Sequence, residues 1–134
     1  TSIILSGACE RYPDFKFVLG ETGVAWLAFV LDRMDHECTG MRGLTMKPSE
    51  YWRRQGFATY QQEGFVGDMA HLIGENTIMW GSDYPHSVGT FPDSKYILDE
   101  FFEGVPDHER RQVLVQNVCD FFGLDADHEL TPTP

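Results

Sequence analysis

Apolar and polar residues alternate along this chain in two rhythms, and the change from one to the other marks its elements. Three short apolar runs, Phe15–Gly20, Phe57–Tyr60 and Thr77–Trp80, are too brief for helices and are punctuated by glycine or polar clusters. Such continuous runs predict parallel strands buried on both faces. Between and around them the period lengthens. Ile4, Leu5, Ala8 and Tyr12 share one side of a predicted helix over Ser2–Tyr12, ended by Pro13 and Asp14. Val24, Leu27, Ala28 and Leu31 repeat at helical spacing up to Glu37, with Asp32, Arg33, Asp35 and His36 largely opposite.

Further on, Phe65–Ile73 reads as a crossover helix stopped by Gly74. Asp93–Phe102 predicts a helix with Ile97, Leu98, Phe101 and Phe102 inward; Asp107–Phe122 predicts another, with Leu114, Val118, Phe121 and Phe122 inward and Gly123 closing it. Cys38–Glu50 carries Gly40, Gly43 and Pro48 without a clean period and reads as a long loop, with a short helical turn in KPSEYWRR after Pro48. The segment from Asp125 to the terminal TPTP reads as a flexible tail.

Strands alternating with helices imply β/α units and a parallel sheet, an α/β fold over residues 1–124. Three units cannot close a barrel. A (β/α)8 barrel takes about 250 residues, so the 134 residues here amount to roughly half of one or less.

Composition narrows the function. An apolar content of 42% with 13% aromatics belongs to a globular domain. The longest apolar run, Val24–Leu31, is too short to span a bilayer, and the chain reads as soluble. The formal net charge of −11 opposes nucleic-acid binding, since only Arg53–Arg54 and Arg110–Arg111 approach a basic patch. Cys9, Cys38 and Cys119 are odd in number and form no CxxC pair, so they read as small buried residues in a protein of the reducing cytoplasm. A chain opening on Thr1 without a signal-like run reads as cut from something longer.

The stretch Asn76–His86, NTIMWGSDYPH, concentrates the chemistry. A buried strand ends at Trp80, Gly81 and Pro85 force a turn, and Asp83, Tyr84 and His86 arrive at the carboxyl end of the sheet, where α/β folds bind ligands. Glu21 holds the equivalent place after the first strand. Two carboxylates on one rim can bind a divalent metal, share a proton or flank a scissile bond; they can equally cap the helices that follow. His86 is close enough to Asp83 to orient it or touch substrate. Tyr60 and Gln61 end the middle strand and could line the pocket, although Tyr60 could equally be core. His36 and His71 read as ordinary helical histidines, and His108 and His128 as solvated. No GxSxG elbow, Walker loop or GxGxxG occurs.

Five segments in order, FKFVLGETGVAWL, LDRMD, KPSEYWRR, IGENTIMWGSDYPH and QNVCDFFGL, resemble the C-terminal part of the amidohydrolase-related metal-dependent hydrolases. The branch concerned includes aminocarboxymuconate-semialdehyde decarboxylase and related aromatic-acid decarboxylases. The resemblance runs from Tyr12 to Leu124 and implies strands six to eight of a (β/α)8 barrel with a catalytic divalent metal, usually zinc. It places Asp83 at the aspartate that binds the metal or its water and moves a proton, and His86 at the recurrent histidine beside it. Glu21 stands where many members have a histidine, a departure that keeps a group able to ligate. The family's first-strand HxH pair and fifth-strand histidine would lie upstream of Thr1. The resemblance thus implies hydrolysis or non-oxidative decarboxylation of a small carboxylated or amide-bearing substrate by the longer protein, and little activity in this chain alone. Two other readings stay open: a non-catalytic partial barrel that pairs its open sheet edge and exposed apolar face with a partner or another copy, in a homo-oligomer, and a barrel glycosidase using Glu21 and Asp83 as acid and nucleophile.

Overall fold

The computed structural model describes residues 1–64 and 66–127. Three parallel strands, β1 (Phe17–Leu19), β2 (Gly56–Tyr60) and β3 (Ile78–Trp80), form one sheet in the order β1-β2-β3. Phe17 pairs with Gly56 and Leu19 with Ala58; Ala58 pairs with Ile78 and Tyr60 with Trp80. The parallel sheet and the βα alternation read from the sequence are therefore present. Each strand is followed by helix: α3 (Ala25–Cys38) and α4 (Pro48–Gln55) after β1, α5 (Val66–Ile73) after β2, α6 (Ser94–Phe101) and the C-terminal helices after β3.

Side chains alternate across the sheet, and the two faces have different fates. Phe17, Ala58, Tyr60 and Ile78 meet the helices in one continuous core with Val24, Leu27, Leu31, Trp52, Val66 and Ile73. Ile73, Ile78 and Val24 are fully enclosed, and burying side chains of this size contributes about 1.5–3 kcal/mol each. On the opposite face Phe57 is covered edge-on by Phe121, with ring centroids 4.9 Å apart, whereas Val18 stays 39% exposed.

Several expectations need correction. The helix expected over Ser2–Tyr12 is two short ones, α1 (Ser2–Leu5) and α2 (Ala8–Arg11), because Gly7 between them adopts a left-handed φ of 74° that ends the first. Tyr12, expected inward, is exposed. The expected loop over Cys38–Glu50 gives way at Pro48 to the full helix α4. Proline suits its first turn, and Glu50 accepts a hydrogen bond from the Lys47 amide at 2.7 Å. Asp35, assigned to the solvent side of α3, instead reaches α4, accepting from the Ser49 amide at 2.8 Å and the Ser49 hydroxyl at 2.6 Å.

The helix expected over Asp107–Phe122 is interrupted. It runs as α7 (Asp107–Arg111), a π-helical stretch Gln112–Gln116 and α8 (Asn117–Phe122). The π turn lets Asn117 point inward, where its Nδ2 donates to the carbonyls of Glu75 (2.7 Å) and Ile78 (2.6 Å), tying the last helix to the start of β3. Val113, Asn117 and Cys119 are the buried residues of this segment; Leu114, Val118 and Phe121 are half-buried, and Phe122 is exposed. Cys9 and Cys119 are buried and Cys38 half-buried, all three free. Burial pushes the Cys9 thiol upward, with the nearby Arg54 charge opposing it. His36, His71 and His108 lie at the surface. His128 and most of the expected tail fall outside the described residues. Among those residues no helix is long and apolar enough to cross a membrane.

Candidate metal centre

The carboxyl ends of β1 and β3 each deliver a carboxylate two or three residues after the last strand position, and both do so from an unusual backbone. Glu21 has φ 57° and Asp83 φ 56°, the left-handed region. Aspartate tolerates that region; glutamate, with no short side chain to bond its own backbone, bears a strain of about 1–2 kcal/mol. Strain of this kind persists where the surroundings impose it and clusters at functional sites.

The surroundings are visible on both sides. Past β3, the Gly81 amide still donates to the Tyr60 carbonyl at 3.0 Å, and the chain then leaves the sheet. Ser82 accepts from the Thr90 amide (2.9 Å), Asp83 from the His86 amide (2.9 Å) and His86 from the Gly89 amide (3.0 Å). These carbonyls crowd Gly89. A Cβ there would lie 2.7 Å from the Ser82 oxygen and 3.0 Å from those of Asp83 and His86, so the loop closes only around glycine. Past β1, the Glu21 amide donates to the Thr59 hydroxyl at 2.7 Å.

Two loops thus bring three groups together. One ligating atom each from Glu21, Asp83 and His86 lies within 4.8 Å of the others. The Asp83 side chain is 6% exposed and that of His86 63%, with His86 Nδ1 2.8 Å from Asp83 Oδ1. That contact, and the charges of Asp83 and more distantly Glu21, raise the His86 pKa above its ordinary value. The trio opens into a cleft of about 810 Å³ whose lining also includes Gln61, Glu63 and Val88. Glu21, Glu63 and Asp83 give this lining three carboxylates, and among the described residues it contains no lysine or arginine. A site of that charge attracts cations.

Of the residues singled out in the sequence, Glu21, Asp83 and His86 converge and Gln61 joins the cleft wall. Tyr60 and Tyr84 are elsewhere. Tyr60 is 1% exposed in the core behind the sheet, where its hydroxyl has no hydrogen-bond partner among the described residues. Burial pushes that phenol well above its usual range, and the Glu63 charge adds to the effect. Tyr84 turns outward and packs edge-on against Phe91, centroids 5.0 Å apart. Thr59 and Glu63 were not singled out. The only signal for them was their place at and just beyond the end of the middle strand, beside Glu21 in the parallel register.

Oxygen donors with an imidazole suit manganese, zinc or a similar divalent ion. Ligating atoms within 4.8 Å of one another are close enough for side-chain movement to gather them on one such ion.

Comparison with known proteins identifies relatives of the chain. The chain is 24% identical over 137 aligned positions to 2-amino-3-carboxymuconate-6-semialdehyde decarboxylase of Dictyostelium discoideum, an alignment covering 96% of this chain and 37% of that protein. It superposes on 5-carboxyvanillate decarboxylase from Sphingomonas paucimobilis with a TM-score of 0.75 and 27% identity, over 92% of this chain and 38% of the other. A dihydroxybenzoic acid decarboxylase from Polaromonas sp. JS666, solved with bound manganese and 2-nitroresorcinol, shares the fold at TM-score 0.69 and 19% identity, over 90% of this chain and 37% of that one. The chain thus spans well under half the length of these relatives. The family model described as Amidohydrolase matches residues 1–124, and on that match the chain belongs to the amidohydrolase family.

Proposed function

We propose that this chain forms the last three β/α units of an amidohydrolase barrel and carries one side of its divalent-metal centre. The observation that carries the reading is the convergence of Glu21, Asp83 and His86 within 4.8 Å, with both carboxylates on left-handed backbones at the carboxyl edge of a parallel sheet. Glu21 and Asp83 hold the ion. His86 orients Asp83 through Nδ1. A catalytic zinc site has about three protein ligands, and in this reading the remainder come from preceding β/α units. The exposed Val18 on the sheet's inner face fits a barrel interior filled by those units. It also fits the second reading, a partial barrel that covers this face with another copy.

The reaction follows from what the residues can do. When bound, a divalent cation supplies Lewis-acid polarisation of a substrate oxygen. Asp83 takes a proton from water at its carboxylate and delivers it to the substrate, to the leaving nitrogen in hydrolysis or to the carbon that loses carbon dioxide in decarboxylation, with the His86 imidazole 2.8 Å away. Hydrolysis of an amide or loss of a carboxyl group both need such a proton carrier. Similarity to proteins named as decarboxylases favours carboxylated substrates, aromatic ones among them. The nearest Glu21 and Asp83 oxygens are within 4.8 Å, which rules against the about 6.5–9.5 Å of an inverting glycosidase but is near the about 5–5.5 Å of a retaining one; against the latter, the cleft lining contains no tryptophan among the described residues for a sugar to stack on. The test is turnover of aromatic carboxylates by a longer protein that contains this chain. Loss of carbon dioxide release in Asp83→Asn supports the reading, and undiminished release contradicts it.

A further inference from the structure

The strain at Glu21 requires restraints, and the structure shows two, both supplied by β2 and the turn after it. The Thr59 hydroxyl accepts from the Glu21 amide at 2.7 Å. Two residues on from Glu21, the chain passes Glu63, whose Oε2 accepts from the amides of Val24 (2.8 Å) and Ala25 (3.3 Å) at the start of α3. The contact is tight: a Cβ on Gly23 would lie 2.3 Å from Glu63 Oε1. Gly23 itself has φ 67°, so the segment between the two restraints contains two left-handed residues in three.

From this we infer that Thr59 and Glu63 are positioning residues that clamp the Glu21 loop from the neighbouring strand and so fix the distance between Glu21 and Asp83. The inference rests on the metal-centre reading for its purpose but not for its geometry. Without the Thr59 acceptor, the Glu21 amide must seek water, and the backbone relaxes toward ordinary φ values that carry the carboxylate off the cleft. Without the Glu63 carboxylate, the first amides of α3 lose their cap and Gly23 loses the wall beside it. Glu63 then has two tasks: it caps the start of α3, and it adds a third carboxylate to the cleft.

The test uses a longer protein that contains this chain, as wild type and as Thr59→Val, Thr59→Ser, Glu63→Ala and Glu63→Gln. Two quantities are read: hydrogen exchange at the Glu21 amide by NMR and Mn²⁺ affinity by electron paramagnetic resonance. Thr59→Val and Glu63→Ala should speed Glu21 exchange about 3- to 10-fold and loosen Mn²⁺ about 10- to 100-fold. Thr59→Ser and Glu63→Gln, which keep an acceptor oxygen, should restore slow exchange. A purely structural role would slow or speed exchange throughout α3 and spare the difference between Glu21 and its neighbours. Glu21 exchange unchanged in both Thr59→Val and Glu63→Ala overturns the clamp, as does Thr59→Ser behaving like Thr59→Val. Should wild type take up no Mn²⁺, the metal-centre reading falls, while the exchange rates still decide the clamp.

Discussion

Glu21 and Asp83 bring carboxylate oxygens within 4.8 Å of each other from backbones at nearly the same angle, φ 57° and 56°. They belong to different loops, at the two outer strands of the sheet, so no local sequence rule makes them alike. Holding glutamate in the left-handed region costs stability, and the sheet retains that cost where two charges of one sign approach. In the proposed reading, a cation held between them would offset the repulsion of the two charges.

Replacing Glu21 by asparagine separates strain from function. Asparagine accepts the left-handed region readily, so Glu21→Asn should leave thermal stability equal to wild type or higher by up to about 1 kcal/mol, while weakening Mn²⁺ binding. Thermal melts with and without Mn²⁺ check this. A clear loss of stability in the metal-free variant would contradict the assignment of strain to this residue.

The loop after β3 has its own constraint. Gly89→Ala places a methyl group 2.7–3.0 Å from three backbone carbonyls, and the loop has to open. The expected result is a destabilisation of about 1–3 kcal/mol together with weaker metal binding, read from urea unfolding and Mn²⁺ titration of the same variant.

Asn117 offers the converse. It is 1% exposed and its two donated hydrogen bonds lie at the far end of β3 from the cleft. Asn117→Ala leaves the buried Ile78 carbonyl and the partly buried Glu75 carbonyl without their donor, and a loss of about 1–3 kcal/mol is expected with metal affinity unchanged in the folded fraction. Affinity falling in step with stability would mean that the two ends of β3 are coupled.

Two titrating groups act on stability with opposite sign. His86 is raised by its contact with Asp83, so the stabilisation from this pair is complete below the ordinary histidine pKa of 6.5 and is lost as pH rises through the raised value. Glu10 is lowered, first by the hydrogen bond from the Tyr51 hydroxyl and then by that from Thr45, so its contribution is present above its ordinary value of 4.5 and lost as pH falls through the lowered one. NMR titration should find His86 above and Glu10 below these references, and Asp83→Asn should bring His86 down without moving Glu10.

How far the chain could be read without coordinates follows from which signals were local. The strands were legible because β1, β2 and β3 are short apolar runs with helical periods between them, and Asp83 stood out because a turn-forming cluster follows a buried strand directly. Helix α4 was partly hidden. Its buried residues Tyr51, Trp52 and Gln55 sit beside Arg53 and Arg54, whose charges blur the period, and its first-turn signal is a glutamate bonding back to a lysine amide. The break at Gly7 was masked by apolar residues that keep helical spacing across it. Tyr60 could not be placed, because alternation along a strand gives two faces without saying which one meets the helices. Thr59 and Glu63 act across 38 and 39 residues of sequence, and no spacing rule reaches that far.

The most direct test of the central claim is a Mn²⁺ titration of a longer protein that contains this chain, and so the remaining ligands, beside its Asp83→Ala variant. Wild type should saturate at about one ion per chain, and Asp83→Ala should weaken binding at least about tenfold, as loss of a directly ligating carboxylate requires. Absence of saturable binding, or an affinity that Asp83→Ala leaves unchanged, would contradict the assignment of Glu21, Asp83 and His86 to a metal centre.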